Sequence, residues 1–199
     1  MQTNQETDNL EKYGRGGVEG RLLARFRREL CGRAAGLAPR TVLDAGCGEG
    51  VATAWLAAAL PRAEITGLEA RPEARAAFAR ALPAATVVDG DVHAMAFPAG
   101  AFDLAVCTEV LEHLDRYAEA VGELARVARG GHLLVTVPWE PWFRLGNLAR
   151  GRYAGRLGST PGHVNTWGPR GLRRVLAPVA RGDVAWHGAF PWQLAVVPV

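Results

Sequence analysis

Three acidic residues that could bind a nucleoside follow strand-like segments of the sequence. Asp44 opens a glycine-rich loop, Glu69 ends an apolar segment, and Asp91 follows another. In open parallel sheets ligands bind beyond the carboxyl ends of the strands, where an acid can accept hydrogen bonds from ribose hydroxyls. We assign that role to Glu69, and we expect Asp91 to accept from an adenine amino group while Val92 packs on the ring. The three acids would then meet in one crevice, although each alone could be an ordinary surface or loop acid.

The loop after the first predicted strand carries three glycines, Gly46, Gly48 and Gly50, in the spacing GxGxG. The dinucleotide-binding pattern GxGxxG would need its third glycine at Val51, and the Gly-Lys-Ser/Thr run of a phosphate-binding loop is missing. The loop also contains two acids and no lysine. These charges would repel a pyrophosphate and suit a ligand with positive charge. A tight turn between a strand and a helix also uses glycine for structural reasons, so that interpretation stays open beside the ligand-binding one.

Strands alternate with helices along most of the chain. The apolar pattern predicts strands at residues 41–46, 64–69, 85–88, 102–107 and 132–137. Helical spacing predicts helices at residues 18–35, 51–60, 72–82, 116–129 and 169–176. Two further runs, 183–187 and 192–197, predict an antiparallel pair at the C-terminal edge. Such alternation is typical of βαβ units. We therefore expect an α/β fold, with a Rossmann-like, open, mostly parallel seven-stranded sheet and helices on both faces.

The same pattern predicts the organisation of the chain. Residues 1–40 form an N-terminal lid or helical segment, and residues 41–199 form the main domain. Within that domain, residues 139–166 lack a regular pattern and combine aromatic residues with four arginines, Arg144, Arg150, Arg152 and Arg156. This insert could be a lid over an anionic acceptor, a packed surface segment, or a shallow docking site on an anionic membrane.

Composition and charge argue against several classes of protein. The 199 residues suit one hydrophobic core, and a net charge of +3 is too small to predict nucleic-acid binding. The three cysteines form no CxxC pair, and the histidines and acids show no metal-ligand spacing, so we expect neither a disulfide framework nor a bound metal. No apolar run reaches the ~20 residues of a membrane span, and no signal peptide is evident. We expect a cytoplasmic protein, monomeric or homodimeric.

Five segments together resemble the class I S-adenosylmethionine-dependent methyltransferases that act on small molecules. They are residues 42–50, Glu69, residues 90–92, the run 97–114 and the fifth-strand region 129–138. Their order and spacing are those of the family. The resemblance implies the fold described above, S-adenosylmethionine as cofactor and S-adenosylhomocysteine as product. It also implies transfer of a methyl group to a small-molecule acceptor by in-line displacement.

The resemblance further implies which residues bind the cofactor. They are Asp44, Ala45, Gly46, Cys47, Gly48, Gly50, Glu69, Ala70, Asp91, Val92, Glu109 and Val110. In such enzymes the N-terminal segment often closes over the site, and Tyr13 is the aromatic residue best placed to do so.

Two histidines are candidates for the catalytic base. An acceptor hydroxyl must lose a proton, and a positioned imidazole can take it. His113 follows the fourth predicted strand, and His163 precedes the last helix; each could instead have a structural role. We expect an oxygen acceptor on a secondary metabolite, sugar or quinone-like compound, with an anionic acceptor as one option. An RNA or protein methyltransferase, an NAD-dependent oxidoreductase and a non-catalytic cofactor-binding relative are the alternatives.

Overall fold

The computed structural model describes residues 17–199, in which helices and strands alternate. The helices are α1 (Gly17–Gly36), α2 (Val51–Ala59), α3 (Pro72–Ala81), α4 (Tyr117–Val127), α5 (Trp142–Ala149) and α6 (Pro169–Leu176). The strands are β1 (Thr41–Ala45), β2 (Glu64–Glu69), β3 (Thr86–Asp89), β4 (Leu104–Thr108), β5 (His132–Pro138), β6 (Ala185–Ala189) and β7 (Trp192–Pro198). Tyr13 lies outside the described residues, so its closing over the site stays a prediction.

The seven strands form one sheet in the order β3-β2-β1-β4-β5-β7-β6. Strands β1 to β5 are parallel, whereas β7 runs antiparallel between β5 and β6. From β1 the chain first builds the sheet outward through β2 and β3, and then returns to build the other side from β4. Ligands bind beyond the carboxyl ends of the strands at such a switch point. The predicted α/β fold with an antiparallel C-terminal pair is confirmed.

Alternate residues of β1 pack on opposite faces of the sheet, as the period of a strand requires. On one face Val42 belongs to a core cluster with Phe26 of α1 and Leu56 of α2. On the other face Leu43 belongs to a cluster with Leu124 of α4. All of these side chains are buried. Helices therefore cover both faces and hold the strand ends in place.

The insert 139–166 contains the helix α5 and a 3-10 turn at Ala154–Arg156. The sequence pattern predicted neither element. In α5 the apolar residues Trp142, Leu145 and Leu148 recur at helical spacing but remain exposed, so the pattern does not mark a core face. No helix in the part of the chain that is described has the length and apolarity needed to cross a membrane.

Candidate functional site

Backbone hydrogen bonds hold the glycine loop between β1 and α2 against β2. The N–H groups of Gly46 and Cys47 donate to the carbonyl of Leu68 at 2.8 and 3.1 Å. Gly46 has a φ of +75°, and a Cβ at this position would lie 2.6 Å from a methyl carbon of Val110. Position 46 therefore requires glycine, both for the left-handed backbone and for the approach of Val110. With Ala45, these predicted residues lie together near the carboxyl ends of three strands.

Glu69, the last residue of β2, contacts the glycine loop directly. The residue is 7% exposed. One carboxylate oxygen accepts a hydrogen bond from the N–H of Gly48 at 3.0 Å. The other accepts from the N–H and the guanidinium of Arg71 at 2.9 and 3.0 Å. Glu69 therefore lies where a ribose-binding acid was predicted, and Arg71 is a partner that sequence analysis did not identify. Ala70, also predicted, is exposed, and its carbonyl accepts from Arg75.

Asp44 is buried at the end of β1, and its carboxylate accepts a hydrogen bond from the hydroxyl of Thr53 at 2.5 Å. Burial raises the pKa of Asp44 to about 6; the Thr53 hydrogen bond lowers it, and the charge of Glu69 raises it. Ala45 pairs with Leu68 in the sheet, so Asp44 and Glu69 lie near the carboxyl ends of two neighbouring strands. Gly50 caps the start of α2 with a left-handed backbone, φ 89°.

Asp91 lies just after β3, but its carboxylate is engaged locally. It accepts hydrogen bonds from the backbone N–H of His93 at 2.9 Å and from a ring nitrogen of His93 at 2.6 Å. These bonds lower the pKa of Asp91. Val92 is half-buried against the main core. Asp44 and Glu69 thus come together as predicted. Within residues 17–199 no hydrogen bond joins Asp91 to either acid, and its adenine-binding role stays a prediction.

Two more acids, Glu109 and Glu112, follow β4. Glu109 has a φ of 56°, which is uncommon for a residue other than glycine. Its N–H donates to the carbonyl of Thr136 at 3.1 Å, and its carboxylate accepts from the Thr136 hydroxyl at 3.2 Å. Glu112 is 1% exposed, and neither carboxylate oxygen has a hydrogen-bond partner in residues 17–199. Burial, with the nearby charge of Glu112, raises the pKa of Glu109 well above its ordinary value. Burial raises the pKa of Glu112 to about 8.

Both predicted catalytic histidines lie beside Glu112. The rings of His113 and His163 meet edge to face with their centroids 4.8 Å apart. The Nδ1 atom of His113 lies 3.0 Å from the carbonyl of Gly162, so Nδ1 donates and Nε2 keeps the lone pair. One possible ligand atom each from Glu112, His113 and His163 lies within 4.8 Å of the others. Sequence analysis predicted no group of metal ligands and did not identify Glu112 as a site residue. Its position directly before His113 in the sequence could have indicated it.

The end of the insert docks on the turn that contains Glu112. The N–H groups of Val164 and Asn165 donate to the carbonyl of Glu112 at 2.9 and 3.0 Å. The side-chain amide of Asn165 donates to a further carbonyl of that turn at 2.7 Å. Sequence analysis did not single out Asn165 as a site residue, although it stands in the same run as His163, just before α6. These bonds bring His163 to the turn despite its distance along the chain.

Comparison with known proteins places this site within a family. The family model described as "Methyltransferase domain" matches residues 43–136. The trans-aconitate 2-methyltransferase of Methylobacterium radiotolerans is 33% identical over 177 residues, which cover 84% of this chain and 67% of that protein. The chain belongs to the class I S-adenosylmethionine-dependent methyltransferases. The trans-aconitate 2-methyltransferase of Azoarcus sp. is 32% identical over 154 residues, or 75% of this chain and 60% of that protein. This methyltransferase chain thus spans 60% and 67% of the lengths of these two relatives.

A solved structure supports the same fold. The plantazolicin methyltransferase BpumL, in complex with SAH, matches with a TM-score of 0.70 and 13% identity over 89% of this chain and 84% of that chain. At this identity the match shows the fold alone. The cofactor of the family is S-adenosylmethionine, and the residues of this methyltransferase fit it. The buried carboxylate of Glu69 borders the loop, the backbone at position 46 favours glycine, and the loop of residues 44–50 contains no lysine that would favour a pyrophosphate.

Proposed function

We propose that this methyltransferase moves a methyl group from S-adenosylmethionine to an oxygen atom of a small-molecule acceptor. The observation that carries the proposal is the buried carboxylate of Glu69, bonded to the N–H of Gly48 at 3.0 Å on a strand that pairs with β1 up to Ala45, next to Asp44. An acid at the end of this strand can accept both hydroxyls of a ribose. Two relatives named for trans-aconitate support a small acceptor.

In this proposal the chain binds and aligns both reactants. When bound, S-adenosylmethionine supplies an electrophilic methyl group on a positively charged sulfur. Glu69 accepts hydrogen bonds from the ribose hydroxyls. Asp91 accepts a hydrogen bond from the adenine amino group, and Val92 packs on the adenine ring. The negative charge of Asp44 beside the loop favours a cationic ligand over a pyrophosphate. Positioning of two reactants contributes much of the acceleration in a displacement of this kind.

His113 and His163 are the bases that we assign to the acceptor side. Because Nδ1 of His113 donates to the carbonyl of Gly162, Nε2 is the nitrogen that can accept a proton. His163 is half-buried and lies beside Glu112 and His113 of the turn after β4, which supports its assignment to the acceptor side. The two rings are in contact, so replacing one imidazole also changes the surroundings of the other.

The arginines of the insert are the candidates for binding an anionic acceptor. Arg150 pairs with Glu19 at 2.9 Å, and the guanidinium of Arg144 donates to the carbonyl of Leu157 at 3.4 Å. These two arginines therefore have partners within the chain. Arg156 is exposed, and it is the arginine that we assign to an acceptor carboxylate or phosphate, since guanidinium groups bind such anions through two parallel hydrogen bonds.

Calorimetric titration with S-adenosylhomocysteine tests the cofactor site. Glu69→Gln keeps the shape of the side chain and removes its charge. We expect binding at least about tenfold weaker, since a hydrogen bond to a charged group contributes about 1.5–3 kcal/mol. Glu64→Gln, at the exposed start of the same strand, is the matched control and should bind as the wild type does. Equal affinity of Glu69→Gln and the wild type, or no binding by the wild type, contradicts the proposal.

Transfer of a labelled methyl group tests the reaction. The wild type is incubated with labelled cofactor and a panel of acceptors that carry carboxylate, sugar hydroxyl or quinol oxygens. Label in an oxygen-linked methyl of one class is the expected result, and His163→Ala should lower its rate about a hundredfold or more, the usual contribution of a general base. Label that appears only on nitrogen or carbon acceptors contradicts the oxygen assignment.

A further inference from the structure

The side chains of Glu112, His113 and His163, here called the Glu–His–His cluster, meet beyond the end of β4. Each offers one atom that can bind a metal, and these atoms lie within 4.8 Å of one another. Glu112 and His113 are neighbours in a 3-10 turn, Leu111–His113. His163 comes from the end of the insert. The cluster therefore exists only in the folded chain.

The side chain of Glu112 is buried in a place that offers its carboxyl group no compensation from residues 17–199. The residue is 1% exposed, and neither of its oxygens has a hydrogen-bond partner within residues 17–199. A buried carboxylate is costly unless a cation or hydrogen-bond donors compensate it. A divalent cation beside Glu112 would provide that compensation and hold the group in its charged form.

The fold already holds the imidazole of His113 in the manner of a metal ligand. Nδ1 of His113 donates to the carbonyl of Gly162 at 3.0 Å. Metal-binding histidines usually donate their second ring N–H to a carbonyl or carboxylate, which fixes the tautomer and aims the other nitrogen at the metal. The N–H groups of Val164 and Asn165 hold the insert to the carbonyl of Glu112. Little rearrangement is then needed to bring His163 onto the same ion.

We infer that the Glu–His–His cluster binds one divalent transition-metal ion, of the class of Zn²⁺, Mn²⁺, Co²⁺ or Fe²⁺. Two imidazoles and one carboxylate suit these ions, whereas Mg²⁺ and Ca²⁺ prefer sets of oxygen ligands. Three protein ligands leave at least one coordination position for an outside oxygen. Given the methyl transfer proposed above, on which only this role depends, that position holds the acceptor oxygen, and the ion lowers the pKa of its hydroxyl. With the ion bound, His113 and His163 act as its ligands and no longer as the bases assigned above, because a metal-bound imidazole nitrogen has no lone pair left for a proton.

Titration with Co²⁺ tests metal binding directly. The full chain, without a purification tag and stripped with a chelator, is titrated with Co²⁺ in the absence of cofactor, and the visible absorption of the bound ion is recorded. One ion per chain, displaced by Zn²⁺, is the expected result. His163→Ala and Glu112→Gln should each weaken binding at least about tenfold, since even indirect partners of a metal ligand contribute that much. His187→Ala, on β6 and outside the cluster, should leave it unchanged.

Two outcomes overturn the inference. One is the absence of a stoichiometric Co²⁺ spectrum in the wild type. The other is unchanged binding in His163→Ala and Glu112→Gln when their circular dichroism matches that of the wild type. Glu69→Gln separates this test from that of the cofactor site, because it should keep the Co²⁺ spectrum while losing affinity for S-adenosylhomocysteine. If cofactor binding fails and Co²⁺ binding persists, the metal site stands without the proposed function.

Discussion

Replacing the buried acid Asp44 by asparagine should change how the stability of the protein depends on pH. Burial raises the pKa of Asp44 from 3.8 to about 6 in the folded state. Between these values the unfolded chain has lost this proton while the folded protein still binds it. Stability therefore falls as the pH rises through this window. The shift of about two pH units corresponds to roughly 3 kcal/mol, because one unit is worth about 1.4 kcal/mol.

Asparagine cannot titrate, so Asp44→Asn should lack this loss. The free energy of unfolding of Asp44→Asn, minus that of the wild type, should rise by about 2 kcal/mol between about pH 4.5 and about pH 7.5, the part of the window that is easily measured. The exchange of a carboxylate for an amide beside Thr53, its hydrogen-bond partner, adds an offset to this difference. The offset does not change with pH, so the slope alone tests the reasoning.

Urea unfolding at a series of pH values, without cofactor, measures the difference. Asp103→Asn is the control: hydrogen bonds from the backbone N–H groups of Arg40 and Thr41 lower the pKa of Asp103. Because the folded-state pKa of Asp103 is lowered, its contribution to stability changes with pH only below its ordinary pKa. The free energy of unfolding of Asp103→Asn minus that of the wild type should therefore stay constant over the pH range used for Asp44. A flat difference for Asp44→Asn, or one that falls as the pH rises, refutes the reasoning from burial.

Two further predictions concern the elements around the site. Gly46→Ala should lower the free energy of unfolding by about 2–4 kcal/mol, and Gly48→Ala by about 1–2 kcal/mol. Both positions have a left-handed backbone, which a residue with a Cβ adopts at a cost. The loss is larger at position 46 because only there would the Cβ also clash with Val110. Val110→Ala should recover part of the difference in urea unfolding, and equal losses at 46 and 48 would contradict this. Arg126→Lys should lower the free energy of unfolding by about 1–2 kcal/mol. The Arg126 guanidinium donates to the carbonyls of Met95 and Phe97, and lysine lacks the forked donor group that reaches both. An unchanged midpoint of urea unfolding would contradict this prediction.

The fold, and the position of two candidate site elements in it, could be predicted from local patterns. Periods of two and of 3.6 residues reveal which segments are strands and which are helices, because each side chain must face the core at a fixed interval. The loop of Gly46 and the acid Glu69 were recognisable because they follow strands directly, and parallel strands end at one edge of a sheet. Helix α5 was not predicted. Its apolar residues Trp142, Leu145 and Leu148 are exposed, so they do not form the buried face from which a helix is recognised in a sequence.

The acceptor side could not be predicted in the same way. His163 and Glu112 were separate residues in the sequence, and docking of the insert through Asn165 brings them together. The hydrogen bonds between Asp91 and His93 could not be predicted either, because the sequence does not show which partner a side chain in a loop binds. Such contacts depend on how segments far apart in the chain pack together and on which partner a side chain selects. The order of residues along the chain does not reveal either.

By itself the sequence determined the alternation of strands and helices, the glycine loop and the acid at the end of β2, because these depend on residues close to one another along the chain. Only the tertiary structure decided that β7 enters between β5 and β6, that Asp44 is buried beside Thr53, and that a glutamate and two histidines converge. The physical reason is that burial and long-range contact depend on everything packed around a residue. The same burial raises the pKa of Asp44, Glu109 and Glu112, and so affects their chemistry.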